Sequence, residues 1–429
     1  MNAFDFDQLH VIPSVQQFLS SIQEDLWMGS NVIVLLPPGI LPDDLWTKIV
    51  DFLLLKEEVE FEVLSLEAHT GKSNPVSVLK EEFSLDWESQ RANHTIDNLS
   101  RAANLPGVIY LKGFQKLERS DQEPWIGFLK QWGQKCQQLA NPGHSNSVFC
   151  VIEPAAKFPF DSLESDLRLK YFWWWGFPSV LETQLLCRTA NDVYAWGAEA
   201  QWREQILPAL STSDFSLLSI FWDEIHKSPE EITDKLRAYA DELDWDDLDQ
   251  FFNQGNRFEN NALEELRSYP PVRLRNLWAR GIICANKEFG IEIHPAALVK
   301  LGRKSELNHR LWRGQAQLLL PIIDNLRLDI CKLLTDKLGD DWPLKSCEPD
   351  SWQELEAIKK NPLAVEWGYL NHLINHDRFL RPYQRSLSSM ISLGRRLRNE
   401  IAHYQTVKLE DYESLLKQIQ KFKWSLDNL

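Results

Sequence analysis

Residues 31–39 read NVIVLLPPG. After Asn31 comes an unbroken apolar run with no polar alternation, which is the pattern of a strand buried on both faces in a parallel sheet. Pro-Pro-Gly closes it with a tight turn. The segment PDDLWTKIVDFLL (42–54) then opens with acids and repeats apolar positions at helical spacing, so a helix is predicted to follow the strand. Comparable apolar runs recur at FEVLSL (61–66), GVIYL (107–111) and SVFCVIE (147–153), with helical stretches between them, notably 123–140. Strands alternating with helices predict a doubly wound parallel-sheet α/β domain over residues 1–165.

At 429 residues the chain is too long for one ordinary core and predicts about two to four domains. Its apolar share of 44% and charged share of 25% are those of a globular protein that folds in water. The net charge of −16 repels polyanions, so any contact with nucleic acid must rest on a local reversal of sign. Cys136, Cys150, Cys187, Cys284, Cys331 and Cys347 are scattered, with no CxxC pair and no cluster with histidine. They read as reduced thiols and indicate neither a zinc site nor a disulfide framework. The opening MNAFDFDQLH is acidic and has no apolar secretory core, and the most conspicuous apolar run, YFWWWGFPSVL (171–181), is far too short to span a bilayer. A cytoplasmic protein with no membrane partner is expected.

The order strand, glycine-containing turn, helix over the first 165 residues resembles a P-loop NTPase of the AAA or STAND kind. A working loop of that family has the form GxxxxGK followed by Ser or Thr, whose amides and lysine hold phosphates while the hydroxyl binds magnesium. Here Gly39 is followed by Ile40, Leu41 and Pro42, with no lysine and no magnesium ligand. A GKS triplet does occur at Gly71, Lys72 and Ser73, but Leu66 stands where the first glycine belongs, so it reads as a decoy. IYLKGF (109–114) offers Lys112 where the acidic metal-binding residue is expected. The region is therefore either a degenerate NTPase-like domain, as the resemblance implies, or an unrelated α/β domain; ATP hydrolysis is not expected, and no cofactor is expected.

From residue 166 the strands give way to helical patterning, and 166–265 reads as a helical acidic region: Asp223 to Asp249 holds eleven acidic residues and three basic ones. DELDWDDLDQ lacks the glycine and the closing glutamate of a calcium loop and reads as a solvated face. The sign then reverses, with ten basic residues against three acidic between Arg267 and Arg313. Segment 266–305 reads helix, glycine turn, short strand, helix, the outline of a small winged-helix-like module. Its basic face suits either a nucleic-acid backbone or the acidic segment before it.

Residues 306–429 read as helices to the end, a bundle of about four or five. Segment 309–339 is one long amphipathic helix closed by Gly339, and a helix after Pro382 runs through His403. On that helix Met390, Leu393, Leu397, Ile401 and Tyr404 form the core stripe, while Ser392, Arg396, Asn399 and His403 point away from it. Between Arg378 and Arg398 the chain carries Arg378, Arg381, Arg385, Arg395, Arg396 and Arg398 and no acid. Guanidinium groups suit phosphate contacts, and His403 suits proton transfer near neutral pH.

The segment LRNEIAH (397–403) resembles the R-polar-x-x-x-H signature of the HEPN superfamily, helical bundles that include many ribonucleases of bacterial defence and toxin systems. The resemblance covers about 306–429 and implies metal-independent RNA cleavage in a cleft shared by two protomers. On this chain it makes His403 the general base or acid, Arg398 the stabiliser of phosphorane charge and Asn399 the residue that orients the site. It implies RNA contacts by Arg378, Arg381, Arg385, Arg395 and Arg396, a homodimer through the bundle, other defence-system proteins as partners, and no metal. Some HEPN domains only dimerise or bind nucleic acid, so a non-catalytic scaffold stays open beside the nuclease, as does a nucleotide-sensing subunit. His372 and His376, at i and i+4, imitate a metal pair, but no carboxylate motif joins them.

Overall fold

A computed structural model describes residues 12–38, 61–72, 74–86, 95–102, 104–138, 147–154, 158, 169–176, 178–190, 197–243, 245, 248, 252, 269–345 and 347–427. The expected helix at 42–54 and the turn from Gly39 onward lie outside the described residues. By contact the chain falls into two compact units: 1–186 with 211–220 and 240–297, and 187–210 with 221–239 and 298–429.

The first unit is built on a parallel sheet. Helix α1 (Pro13–Trp27) begins at a proline, whose fixed φ suits the first helical turn, and buries Val15, Leu19, Ile22 and Leu26. Strand β1 (Asn31–Leu36) follows and is buried along its whole length. With β2 (Phe61–Ser65), β3 (Val108–Lys112), β4 (Val148–Pro154) and β5 (Leu169–Trp173) it forms one sheet ordered β2-β3-β4-β1-β5. Every pairing in it is parallel. The unbroken apolar run thus meets its expectation, because a strand flanked on both sides and covered on both faces has no room for alternation. Asn31, the polar exception, is satisfied on both atoms: its Nδ2 donates to the Leu129 carbonyl at 3.0 Å and its Oδ1 accepts from Phe149 N–H at 2.9 Å.

Helix α2 (Pro75–Glu82) is capped by Asn74, whose side chain accepts from the amides of Val76 and Ser77. The short α3 (Ile96–Leu99) and the long α4 (Arg119–Gln138) follow. Trp132 of α4 is fully buried and donates its indole N–H to the Ser147 carbonyl at 2.8 Å.

The sheet extends beyond residue 165, where strands were expected to cease. β5 comes from the start of the YFWWW run and pairs with β1 from Asn31 against Leu169 to Leu35 against Trp173. Its three middle residues are only half-buried. Helices α5 (Val180–Ala190), α6 (Ala198–Ser211), α7 (Phe215–Phe221) and α8 (Pro229–Glu242) follow.

The basic segment contains α9 (Arg275–Ala279) and a two-stranded antiparallel hairpin, β6 (Ile283–Asn286) and β7 (Gly290–Ile293), where one short strand was expected, and then α10 (Pro295–Lys300). The Asn286 side chain accepts from the amides of Glu288 and Phe289 and so folds the turn onto itself. Trp278 of α9 donates to the Trp174 carbonyl at 3.0 Å, and the Arg275 guanidinium lies 4.9 Å over the Trp173 ring.

The second unit is helical. α11 (Lys304–Leu338) is the long amphipathic helix expected over 309–339; it begins five residues earlier, at Lys304, and ends at Gly339 with φ 86°. α12 (Trp352–Lys360), α13 (Trp367–His376), α14 (Arg381–Ala402) and α15 (Leu409–Asp427) complete the bundle. α14 packs on both α13 and α11. No described helix is long and apolar enough to cross a membrane.

A tight fit in the bundle occurs at Gly394. A Cβ there would meet the Trp367 ring at 2.5–2.9 Å, and Trp367 is itself buried. Gly394→Ala is expected to destabilise the protein by about 1–3 kcal/mol through overpacking. Gly368→Ala, whose Cβ meets nothing within 4 Å, serves as the control and leaves stability unchanged or slightly raised. Urea unfolding monitored by circular dichroism compares the two.

Candidate functional site

Helix α14 sorts its residues by face. Leu387, Met390, Ile391, Leu397 and Ile401 are buried, whereas Ser392, Arg395, Arg396 and Arg398 are exposed and Asn399 is half-buried. The expected core stripe therefore holds, except at its two softer members. Leu393 is half-buried, and Tyr404 is 65% exposed.

Tyr404 leaves the stripe because the helix stops before it. His403 is the C-cap, with φ −101° and ψ 19°, and Tyr404 takes the left-handed conformation at φ 59°. The Tyr404 amide donates to the Ile401 carbonyl and the Gln405 amide to the Glu400 carbonyl, the paired bonds of a Schellman ending. Projection on an ideal helix puts Arg398 about 140° from His403. His403, as a cap residue, is not bound by that projection.

Helix α11 holds the segment after the motif. Trp312 donates its indole N–H to the Ile401 carbonyl at 2.7 Å. One turn on, the carboxamide of Gln315 grips Val407 twice, donating to its carbonyl and accepting from its amide at 2.8 Å each. Gln315 and Val407 are both buried, so no water replaces these bonds. Neither Trp312 nor Gln315 stood out in the sequence. The available signal was a glutamine on the apolar face of a long helix.

The arginines divide into two groups. Arg378, Arg381 and Arg385 lie at or just before the start of α14, Arg395, Arg396 and Arg398 near its end, with roughly 15 Å of helix between the nearest members. Asp377, the nearest acid to the first group, is buried and accepts from the Phe379 amide. Arg396 differs from the rest, because Glu400 and Asp411 both pair with it, at 3.1 and 2.6 Å. The hydrogen bond that Arg396 donates to Asp411 holds its guanidinium above the ordinary arginine value. Arg398 is exposed and its Nη1 donates to the Asn399 side chain at 3.4 Å. His403 is exposed beside them, and its ring has no hydrogen-bond or ion-pair partner among the described residues.

His372 and His376 stack with ring centroids 4.6 Å apart, and His376 Nδ1 lies 2.9 Å from the His372 carbonyl. Among the described residues no group of three or more histidine, cysteine, aspartate or glutamate side chains is placed to hold a metal ion.

No protein-family model matches the chain, and no curated protein matches it. Among solved structures it is similar to the ORC2 protein of Aeropyrum pernix in its ADPNP-ADP complexes. Identity is 12%, 68% of this chain and 93% of the other are covered, and the TM-score is 0.29. So slight a likeness carries no argument about fold or function.

In the first unit the glycine-lysine pair of the GKS triplet follows β2, the edge strand, whereas a phosphate loop of the resembled family follows the central first strand. Lys72 is paired with Glu81 at 2.6 Å, and the Gly71 amide donates to Asp121 at 3.0 Å. Lys112 is exposed at the end of β3. Beyond the carboxyl end of β1, Gly281 at φ 73° lies so near Pro38 that a Cβ would stand 3.2 Å from the Pro38 carbonyl oxygen.

The Gln315 clamp yields a direct test. Gln315→Ala leaves the amide and carbonyl of Val407 buried without partners, a cost of about 1–3 kcal/mol for each group. Amide hydrogen exchange is expected to rise across residues 403–408 while strands β1 and β4 keep their protection.

Proposed function

We propose that the protein is a HEPN-type, metal-independent endoribonuclease serving as a bacterial antiviral-defence or toxin effector, with a non-hydrolysing NTPase-like regulatory domain at its N-terminus. The observation that carries this reading is the end of α14. There an arginine, a half-buried carboxamide touching it and an exposed imidazole, unpartnered among the described residues, follow one another in the RNEIAH order. The opposed ends of α14 supply cationic groups for a single strand of RNA on a protein whose net charge is −16.

In the proposed reaction His403 takes the proton of a ribose 2′-hydroxyl, whose oxygen attacks the adjacent phosphorus. The bond from phosphorus to the 5′-oxygen breaks, and that oxygen receives a proton from an imidazolium. Arg398 stabilises the charge on the equatorial phosphoryl oxygens, and Asn399, bonded to its guanidinium, fixes its direction. Arg378, Arg381, Arg385 and Arg395 hold the flanking phosphates. Arg396 has a weaker claim, since two carboxylates already engage it. A two-fold dimer brings Arg398 of one protomer beside His403 of its partner.

Wild-type protein is expected to degrade single-stranded RNA in EDTA and leave 2′,3′-cyclic phosphate ends. His403→Ala should remain folded and inactive, and Arg398→Ala should lose on the order of a hundredfold or more in rate. Gel analysis of end-labelled RNA reads both, and equal RNA survival with wild type and His403→Ala would defeat the nuclease reading.

The shared cleft makes a second expectation. His403→Ala and Arg398→Ala chains, each inactive alone, are expected to recover roughly a quarter of wild-type activity when co-refolded, because half the dimers then carry one intact site. No recovery in a mixture shown to exchange subunits would place both groups in one chain.

A further inference from the structure

Tyr404 combines three features that a structural residue has no need to combine. Its backbone takes φ 59°, a conformation that glycine or asparagine adopts with less strain at a helix end. Its ring is 65% exposed. That ring is nonetheless held in place, with its centroid 4.6 Å from Trp312 and 6.2 Å from His309, nearly parallel to the latter at 26°. Trp312 is anchored in turn by its bond to the Ile401 carbonyl. The result is an aromatic surface, supported from behind and open in front.

Tyr404 lines an open groove of about 880 Å³ whose wall also includes Asn308, Arg396, Glu400, Lys408, Glu410 and Asp411. Arg396 is already matched by Glu400 and Asp411, and Glu410 adds a third carboxylate to the wall, so that with Lys408 two cations face three carboxylates. A pocket with this balance disfavours a phosphate. It accepts a flat, neutral group that stacks on an aromatic ring and donates hydrogen bonds to carboxylates. Nucleobases with amino groups have that chemistry, and stacking of a base on an exposed aromatic ring contributes on the order of 1–3 kcal/mol. Arg398 and His403 do not line the groove. They adjoin it in sequence, His403 by a single Cα step of about 3.8 Å.

We infer that Tyr404, backed by Trp312 and His309, is the stacking platform for one unpaired RNA base, and that the adjoining groove receives that base while its phosphates stay on the arginine side. This rests on the nuclease reading for the identity of the polymer. It adds that the substrate must be single-stranded at the cleaved position, and that Tyr404 is a binding residue which takes no part in proton transfer.

The test uses the full chain and a short fluorescein-labelled 2′-O-methyl oligonucleotide, which cannot supply the attacking hydroxyl, read by fluorescence anisotropy. Tyr404→Phe keeps the ring and should bind as wild type does. Tyr404→Asn suits the left-handed backbone but lacks the ring. It is expected to bind about tenfold to a hundredfold more weakly while keeping the wild-type melting temperature. The same oligonucleotide annealed to its complement should compete poorly, and AMP should not displace it. Tyr404→Asn binding as tightly as wild type, a duplex competing equally well, or displacement by AMP at its own micromolar affinity would each overturn the platform.

Cleavage of unmodified RNA in EDTA, run alongside, separates the two claims. Tyrosine-dependent binding without cleavage leaves the platform standing and removes the nuclease. Cleavage and binding indifferent to Tyr404 remove the platform and leave the nuclease.

Discussion

A helix ends with carbonyls that have no donor of their own, and in α14 those carbonyls lie in the segment that carries the candidate chemistry. The chain satisfies them from two directions. The amides of Tyr404 and Gln405 turn back onto Ile401 and Glu400, and Trp312 of the neighbouring helix reaches Ile401 as well. Gln315 then fixes Val407, so that the intervening positions are held at both ends. Exposed side chains on a backbone so constrained can be accurately placed without being buried. His403 and Tyr404 are both in that position.

A comparable constraint governs the other side of α14. Its buried stripe is ordinary, but at Gly394 the helix approaches Trp367 more closely than any side chain would permit. The absence of a Cβ lets the indole lie against the helix, and that contact sets the rotation of α14 about its own axis. Rotation decides which residues face outward, so Gly394 bears on where its neighbour Arg395 and, one turn further on, Arg398 are placed. In the first unit β1 has the corresponding role. Strands pair on either side of it, and its polar first residue is bonded both to α4 and to β4.

Much of this was legible in the sequence, and the parts that were not share a cause. Continuous apolar runs announced β1, β3 and β4, and helical spacing announced α11, α14 and α15, because in each case neighbours along the chain share one environment. β5 escaped because its middle residues are half-buried, so the run carried no clean strand signal and its tryptophans read equally well as the start of a helical region. Tyr404 was assigned to the core stripe on spacing that ceases to apply where the helix stops, just before it. The carboxylate partner of Arg396 on α15, Asp411, stands fifteen residues away across a turn. The arginine count was correct as a tally, yet it missed that one of the six is neutralised locally and that the rest divide between two ends of a helix. The motif itself, Arg398, Asn399 and His403, was readable because it is local. Its supports, Trp312 and Gln315, were not, since those contacts span some ninety residues.

The left-handed tyrosine also has a genetic consequence. A tyrosine codon becomes an asparagine codon by a single base change, and asparagine takes positive φ several-fold more readily than other non-glycine residues. Drift governed by folding alone therefore runs downhill from tyrosine at position 404, and stability offers no resistance to it. A lineage that keeps the aromatic ring keeps it against that gradient, which makes the position a record of use. Chains that retain the bundle after its task has lapsed would be the ones to carry asparagine or glycine there, long before the buried stripe of the same helix began to change.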